Sequence, residues 1–501
     1  MHTRIVASAA LLFVLCVYVS SARANCFVPS TPNDGYFDQA WGGAGLGCVV
    51  FTADNRDSTK SSALSKLAIA PNAEVFMGGS FLSGSGTWWI GELTPSGAFD
   101  STFGDTDASG RMTACQLHLP SGCPTSEANF DFLPQPDNRI LVVSDTYLTR
   151  TNAGGHALDS SVTVGVGLGL GVGYTYSQYQ IATPVGYLFS YFGGGLALTP
   201  AGKILMAGTG VDADATNGGG YHTPGIARLN TDLSLDTGFH AVAFNSNKDM
   251  YAGGVYVDTG SDAEGHKVLT QSTGKLILIG SSGGDFRFSR FNADGSLDTG
   301  FGTNGTTIVN SVPSPCTVAT WEYIPPHIAI LDRADRIIAA GECAKGSYYN
   351  TAVVRLSADG AIDTTFGANH DGFYVNDTFG ACPNLTVRPR ALAIDSAGRI
   401  LVGGICDSEI GVQRLRGDKG ILDTSFGIDG LGHGHFDPTS TVDEVDAMMF
   451  DAAGHLFIGG QALPGGSGSV RQSAVARLTY DLIYTNDFEL APRGCLPPDC
   501  N

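Results

Sequence analysis

Hydrophobic residues in this chain come in short runs of four to six, broken by turns rich in Gly, Asp and Asn. No segment sustains an apolar period of 3.6 residues, so long helices are not expected. The runs are nearly continuous in places, as in Lys275-Leu-Ile-Leu-Ile-Gly280 and Arg399-Ile-Leu-Val-Gly403. That pattern suits strands buried on both faces. Tight turns such as Asp294-Gly295 and Ala397-Gly398 supply the positive φ that hairpins need.

The runs repeat. Phe291-Asn-Ala-Asp-Gly-Ser-Leu-Asp-Thr-Gly-Phe-Gly302 is the clearest copy of a motif built around an Asp that follows an apolar residue. The Asp falls at Asp38, Asp100, Asp159, Asp236, Asp298, Asp363 and Asp423, in steps of 62, 59, 77, 62, 65 and 60 residues. A fixed period of this kind decides architecture. Each repeat reads as four short strands, a to d. In one repeat strand a is Ala391 to Ile394, strand b Arg399 to Gly403 and strand c Val412 to Leu415; the Asp motif and strand d (Gly432 to Phe436) follow.

The ends are complementary half-repeats. The N-terminal side has an Asp motif at Phe37-Asp38 and a strand near Cys48 to Phe51; the C-terminal side has strands a, b and c but no good Asp motif after them. Joined, they make one whole unit, which closes a ring and leaves no bare sheet edge. The expectation is an all-β, seven-bladed β-propeller of four-stranded blades, with an N-terminal strand completing the last blade.

The pattern G-(K/R)-I-L-x-x-G, followed by (A/V)-x-R-(L/F)-x-x-D-G-x-(L/I)-D-T-x-F-G, resembles the delta-60 repeat family of secreted bacterial proteins. The resemblance runs from Phe37 to Leu478 and is weakest at Leu158-Asp159-Ser160, which lacks the Phe-Gly. It implies a propeller-like array and export, and no settled activity. The closing Ile483-Tyr-Thr-Asn-Asp-Phe-Glu489 is similar to a short tail on some exported bacterial proteins.

The N-terminus changes the compartment. Arg4, an apolar run from Ile5 to Val19 and Ala22-Arg23-Ala24 read as a signal peptide cleaved after Ala24. The expected organisation is a signal peptide at 1–24, one propeller domain at 25–480 and a tail at 481–501. The mature chain is expected to be secreted, cell-surface or periplasmic, without a transmembrane segment, and monomeric. Ten of the 11 cysteines lie beyond the leader, an even number suited to disulfides. Repeat symmetry favours Cys316–Cys343 and Cys382–Cys406. Cys115–Cys123 and Cys495–Cys500 would close local loops, the latter in the tail, and Cys26–Cys48 follows by elimination.

The formal charge of −20 argues against nucleic acid as a partner. Motifs with a chemical reading mostly have a plainer one. Seven near-identical Asp motifs cannot each be an active site; the Asp is expected to accept backbone N–H bonds, with its Phe packed between blades. Gly280-Ser-Ser-Gly-Gly284 fits G-x-S-x-G but lacks the helix of a nucleophile elbow. His433 and His435 share a strand face with Asp437 in phase, a rim position without an obvious further ligand. Asp105 and Asp107, and Asp212 and Asp214, resemble the first half of calcium loops, the one opening for a metal; no other cofactor is expected. The Gly-Val/Leu alternation at 164–173 has no dinucleotide spacing.

Loop length varies in two connections, b to c and d to the next a, which emerge on one face. These are residues 80–87, 162–194, 209–223, 240–266, 343–350 and 461–472. Aromatics at or beside them make a binding surface: Trp88, Trp89, Tyr174, Tyr176, Tyr179, Tyr348 and Tyr349, with Tyr221 and Tyr251. Such faces beside acids suit a glycan. The leading expectation is an extracellular binding or interaction module, with an extracellular glycan or protein as partner and no catalytic residues. The alternatives are a secreted propeller enzyme, a lyase or hydrolase acting on an extracellular polymer, and a structural cell-envelope component.

Overall fold

The computed structural model describes most residues between Asp38 and Leu478. Residues 1–37 and 479–501 lie outside the description, as do loop segments, chiefly 54–59, 83–87, 105–109, 114–129, 160–165, 168–190, 212–221, 240–253, 258–262, 317–327, 377–386, 427–432, 437–442 and 463–469.

Every described element is a strand, and the strands form seven four-stranded sheets. Blade 1 holds Ser62–Ile69, Val75–Phe81, Trp88–Leu93 and Arg111–Thr113 as strands a to d. Blade 2 holds Phe130–Pro134, Ile140–Ser144, Tyr147–Arg150 and Val166–Gly167. Blade 3 holds Tyr191–Leu198, Ile204–Val211, His222–Leu229 and Gly254–Tyr256. Blade 4 holds Glu264–Thr270, Leu276–Ser282, Asp285–Phe291 and Thr306–Val309. Blade 5 holds Ala329–Leu331, Ile337–Lys345, Tyr348–Leu356 and Phe373–Asn376. Blade 6 holds Val387–Ile394, Ile400–Cys406, Glu409–Leu415 and His433–Phe436. Blade 7 holds Asp443–Phe450, Leu456–Ala462, Gln472–Leu478 and, as its d strand, the N-terminal Cys48–Phe51.

That last pairing closes the ring as the half-repeats require. Cys48 stands opposite Ala476 and Phe51 opposite Ser473, antiparallel. Strands a of adjacent blades pack on one another around the centre. Between the blades lie apolar layers, such as Ile277, Phe288, Phe301, Ile337 and Val354 at the seam of blades 4 and 5. The near-continuous apolar b strands therefore bury both faces.

The Asp motif holds neighbouring blades together. In blades 2 to 7 its carboxylate forms an ion pair with the Nε of an Arg on strand c at 2.7–2.8 Å: Arg150–Asp159, Arg228–Asp236, Arg290–Asp298, Arg355–Asp363, Arg414–Asp423 and Arg477–Asp38. The other oxygen caps the turn, as in Thr365 N–H donating to Asp363 at 3.0 Å. The same guanidinium lies over the motif's aromatic ring, 4.5 Å from Phe366 for Arg355 and 4.9 Å from Phe301 for Arg290. It then reaches the next blade's c–d turn: Arg290 Nη1 donates to Ala358 O at 2.6 Å, and Arg150, Arg228 and Arg355 donate likewise to Thr231, Ala293 and Gly417.

The motif Phe wedges under that turn. A Cβ on Gly360 would sit 2.6 Å from the Phe301 ring, and one on Gly420 2.3 Å from Phe366. Both glycines also hold positive φ, so the turn Gly serves the preceding blade's aromatic as well as its own bend. The motif is thus a staple, not seven active sites.

Candidate functional site

Across the blades, the inner a strands are where the repeats stop resembling one another. Register shifts interrupt strand a of blades 1, 4, 6 and 7, leaving Ser65, His266, Arg390 and Asp446 unpaired with strand b. A bulge re-aims the extra residue and is common beside functional sites. One residue on, the equivalent positions carry Lys66, Asp131 and Lys267 in blades 1, 2 and 4. All lie toward the end of the ring from which the b–c and d–a loops leave.

Blades 5, 6 and 7 together build a charged wall there. Gln461 Nε2 donates to Asp446 Oδ2 at 3.1 Å, and Arg471 Nη1 donates to Gln461 Oε1 at 2.9 Å. Arg471 is also 3.5 Å from Glu444 Oε1. In the next blade Arg388 Nε lies 3.7 Å from Glu342 Oε1. Arg390 acts electrostatically on both Glu342 and Asp446. Burial pushes the Asp446 carboxyl up to about 6, with Glu444 adding to the rise while Gln461, Arg390 and Arg471 oppose it. Burial likewise raises Glu342, which is 1% exposed, against the pull of Arg388 and Arg390.

Strand a of blades 1, 2 and 4 carries further polar groups. His266 Nε2 is 3.1 Å from Ser281 Oγ and 3.6 Å from Glu264 Oε2, and burial lowers the imidazole to about 4, so it is neutral at pH 7. The Lys66 ammonium pairs with Asp131, whose other oxygen accepts the Leu196 N–H at 2.7 Å. Lys267 donates to Ala329 O at 3.0 Å. Burial lowers Lys267 to about 8, with Lys66 adding to the shift and Asp131 opposing it. Groups from blades 1, 2 and 4 therefore feel one another across the axis.

A second grouping sits at the opposite, staple end. Glu74, Glu92 and Asp100 of blade 1 place carboxyl oxygens within 4.8 Å of one another. Burial pushes Glu92 up to about 9, and its hydrogen bond to Glu74 and the charges of Glu74 and Asp100 add to the rise. Crowding by two further carboxyl groups thus favours the protonated form of Glu92.

Of the residues expected to bind ligand, Trp88 and Trp89 are fully buried in the layers on either side of blade 1. Trp88 stacks on Phe130 at 5.5 Å and Trp89 meets Phe51 edge-on at 5.5 Å, so neither ring offers a face to solvent. They are core residues because strand c, like strand b, buries both faces. Tyr348 and Tyr349 begin strand c of blade 5, paired opposite Lys345 and Ala344. Tyr174, Tyr176, Tyr179, Tyr221, Tyr251, Asp105, Asp107, Asp212 and Asp214 lie outside the described residues, as do the leader and the tail.

The Cys316–Cys343 disulfide is present, with its Cα atoms 5.5 Å apart. Cys48 is also disulfide-bonded, but its expected partner Cys26 lies outside the described residues, as do Cys115, Cys123, Cys382, Cys495 and Cys500. Cys406 ends strand b of blade 6.

The charged wall was not foreseen from the sequence. Its members are single residues from three blades, at positions the repeat does not keep constant. The Glu74–Glu92–Asp100 group did leave a signal, because Glu92 stands where the other repeats have Arg.

A family described as "Domain of unknown function (DUF5122) beta-propeller" matches residues 200–239, 271–301 and 335–366, within blades 3, 4 and 5. Three of the seven blades thus match the DUF5122 β-propeller model. No curated protein matches the sequence. Among solved structures it is similar to a catalytically inactive variant of virginiamycin B lyase from Staphylococcus aureus with quinupristin, at 10% identity and a TM-score of 0.44, covering 86% of this chain and 98% of that one. It is also similar to the Dos1 propeller, at 11% identity and a TM-score of 0.42, with 87% and 95% covered. A third is YCF48 bound to a peptide, at 11% identity and a TM-score of 0.40, with 89% and 99% covered.

Proposed function

We propose that this protein is an exported binding module of the delta-60 repeat type, and that its ligand is a glycan held at the loop end of the ring. The observation that carries the reading is the wall of Glu342, Arg388, Arg390, Asp446, Gln461 and Arg471, assembled from three blades. It offers carboxyl, amide and guanidinium groups side by side, the mix of donors and acceptors that hydroxyl-rich ligands need. The staples at the other end tie neighbouring blades together.

The test is a glycan array probed with the purified mature chain, followed by titration of the best hit. Gln461→Ala and Asp446→Ala are expected to weaken binding by about tenfold each. Unchanged affinity in both variants, with the fold intact, refutes the assignment.

An enzymatic reading, a lyase or hydrolase on an extracellular polymer, has one observation in its favour. Burial raises the Asp446 carboxyl to about 6, into the range that suits a general acid or base near neutrality. Release of shorter products from a bound polymer, lost in Asp446→Asn, is the result that would favour it over binding alone.

A further inference from the structure

We propose that Arg390 anchors a carboxylate of the ligand, so that the glycan taken by this site is acidic and carries a uronic-acid residue. The inference rests on the binding reading above and goes on to the chemical class of the ligand.

The four bulge residues are dealt with differently, and Ser65 donates to Gly78 O at 3.4 Å. His266 has Ser281 and Glu264, and Asp446 has Gln461. Arg390, on strand a of blade 6, is half-buried, and among the described residues it forms no ion pair. Its Nε is buried without a hydrogen-bond partner. In the staples of blades 2 to 5 and 7, by contrast, the Arg Nε donates to a carboxylate at 2.7–2.8 Å. Buried donors in native proteins are almost always satisfied, and the exceptions need an explanation. A half-buried guanidinium that forms no ion pair among the described residues offers planar donors that fit the two oxygens of a carboxylate better than a hydroxyl group.

The surroundings agree in charge. The groups around Arg390 are Glu342 on strand b of blade 5, Arg388 beside it, and Asp446, Glu444 and Arg471 from blade 7. Three guanidinium groups therefore face three carboxyl groups. Burial holds Asp446 toward its neutral form, so in mildly acidic conditions three guanidinium groups face at most two carboxylates. In a chain with a formal charge of −20, this is an unusual place for positive charge. An uncharged Asp446 also has an O–H to donate to the same ligand.

The sign of the pH dependence follows. As pH rises through about 6, Asp446 ionises and places a negative charge near the bound carboxylate, so affinity falls. A uronate stays ionised across that range and does not contribute to the change.

The experiment is calorimetric titration of the mature chain with an oligogalacturonide and with the matching neutral galactose oligomer, at pH 5 and pH 7.5. The acidic oligomer is expected to bind about tenfold more tightly than the neutral one, and more tightly at pH 5. Arg390→Gln should remove that preference, Arg390→Lys should restore part of it, and Asp446→Asn should flatten the pH dependence. A melting curve for each variant shows that the ring remains folded. Equal affinity for the two oligomers, or a preference that survives Arg390→Gln, overturns the inference. If the neutral oligomer binds through Gln461 and Asp446 without any Arg390 effect, the glycan reading stands and only this step fails. If neither oligomer binds and a peptide with a free C-terminal carboxylate does, through Arg390, the glycan class itself is wrong.

Discussion

Blade 5 and blade 1 have the same corner and opposite chemistry. In blade 5 the three positions are Arg336, Arg355 and Asp363; in blade 1 they are Glu74, Glu92 and Asp100. Arg355 is fully buried, holds Asp363 at 2.7 Å, stacks on Phe366 and donates into the turn of blade 6. Glu92 is nearly as buried, but its neighbours are two more carboxyl groups. The backbone is conserved between them: Asp100 N donates to Glu92 O at 3.0 Å, as Asp363 N does to Arg355 O at 2.9 Å. Hydrogen bonding along the main chain fixes the corner's shape, and the side chains decide whether it is stapled by charge or held by a proton.

The two corners should therefore respond to acid and base in opposite senses. Desolvation works against the Asp363 charge, but Thr365 and Arg355 outweigh it and hold the carboxyl below its ordinary value. Its contribution to stability is present above the unfolded value near 3.8 and is lost as pH falls through the folded one. Glu92 is raised instead. Its contribution is full below the unfolded value near 4.5 and is lost as pH rises toward about 9.

The largest expected effect is at the stapled corner. Arg355→Ala leaves a buried carboxylate without its cation and should cost about 3–5 kcal/mol in urea unfolding at pH 7. Glu92→Ala, at the equivalent place, should cost far less. Equal losses would erase the distinction. Next is the slope with pH. Glu92→Gln should leave stability at pH 4 nearly unchanged and raise it relative to the parent by roughly 1–3 kcal/mol at pH 9. A constant difference between the two proteins across that range would mean Glu92 is ionised in the fold. The smallest effect, and the sharpest comparison, is a transplant. The double change Glu74→Lys and Glu92→Arg gives blade 1 the pattern of blades 3 and 4 and should stabilise the ring by about 1–2 kcal/mol at pH 7. No gain, with the Arg side chain turned away from Asp100 in a crystal structure, would show that the seam between blades 1 and 2 cannot accept the staple.

Much of this architecture was readable because it is repeated. Seven Asp motifs, two half-repeats and the matched positions of Cys316 and Cys343 each state the same geometry more than once, and the ring and that disulfide follow. The charged wall could not be read that way. Arg390 and Asp446 owe their positions to bulges, and a bulge shifts the count by one residue without marking the sequence. Their neighbours Glu342 and Gln461 come from other strands, and Glu342 from another blade. Trp88 and Trp89 show the converse error: aromatic residues beside a variable loop suggested a surface, but two-sided burial of the strand takes them into the core.

The central claim is that recognition lies where the blades differ, at the inner strands of the loop end, and that the repeated corners are structural. Hydrogen exchange of the purified protein, with and without saturating oligogalacturonide, tests it most directly. The account predicts slowed exchange in Val387–Ile394 and Asp443–Phe450 and none at the Asp-motif turns. Protection confined to those turns, with both strands exchanging as in the free protein, would contradict it.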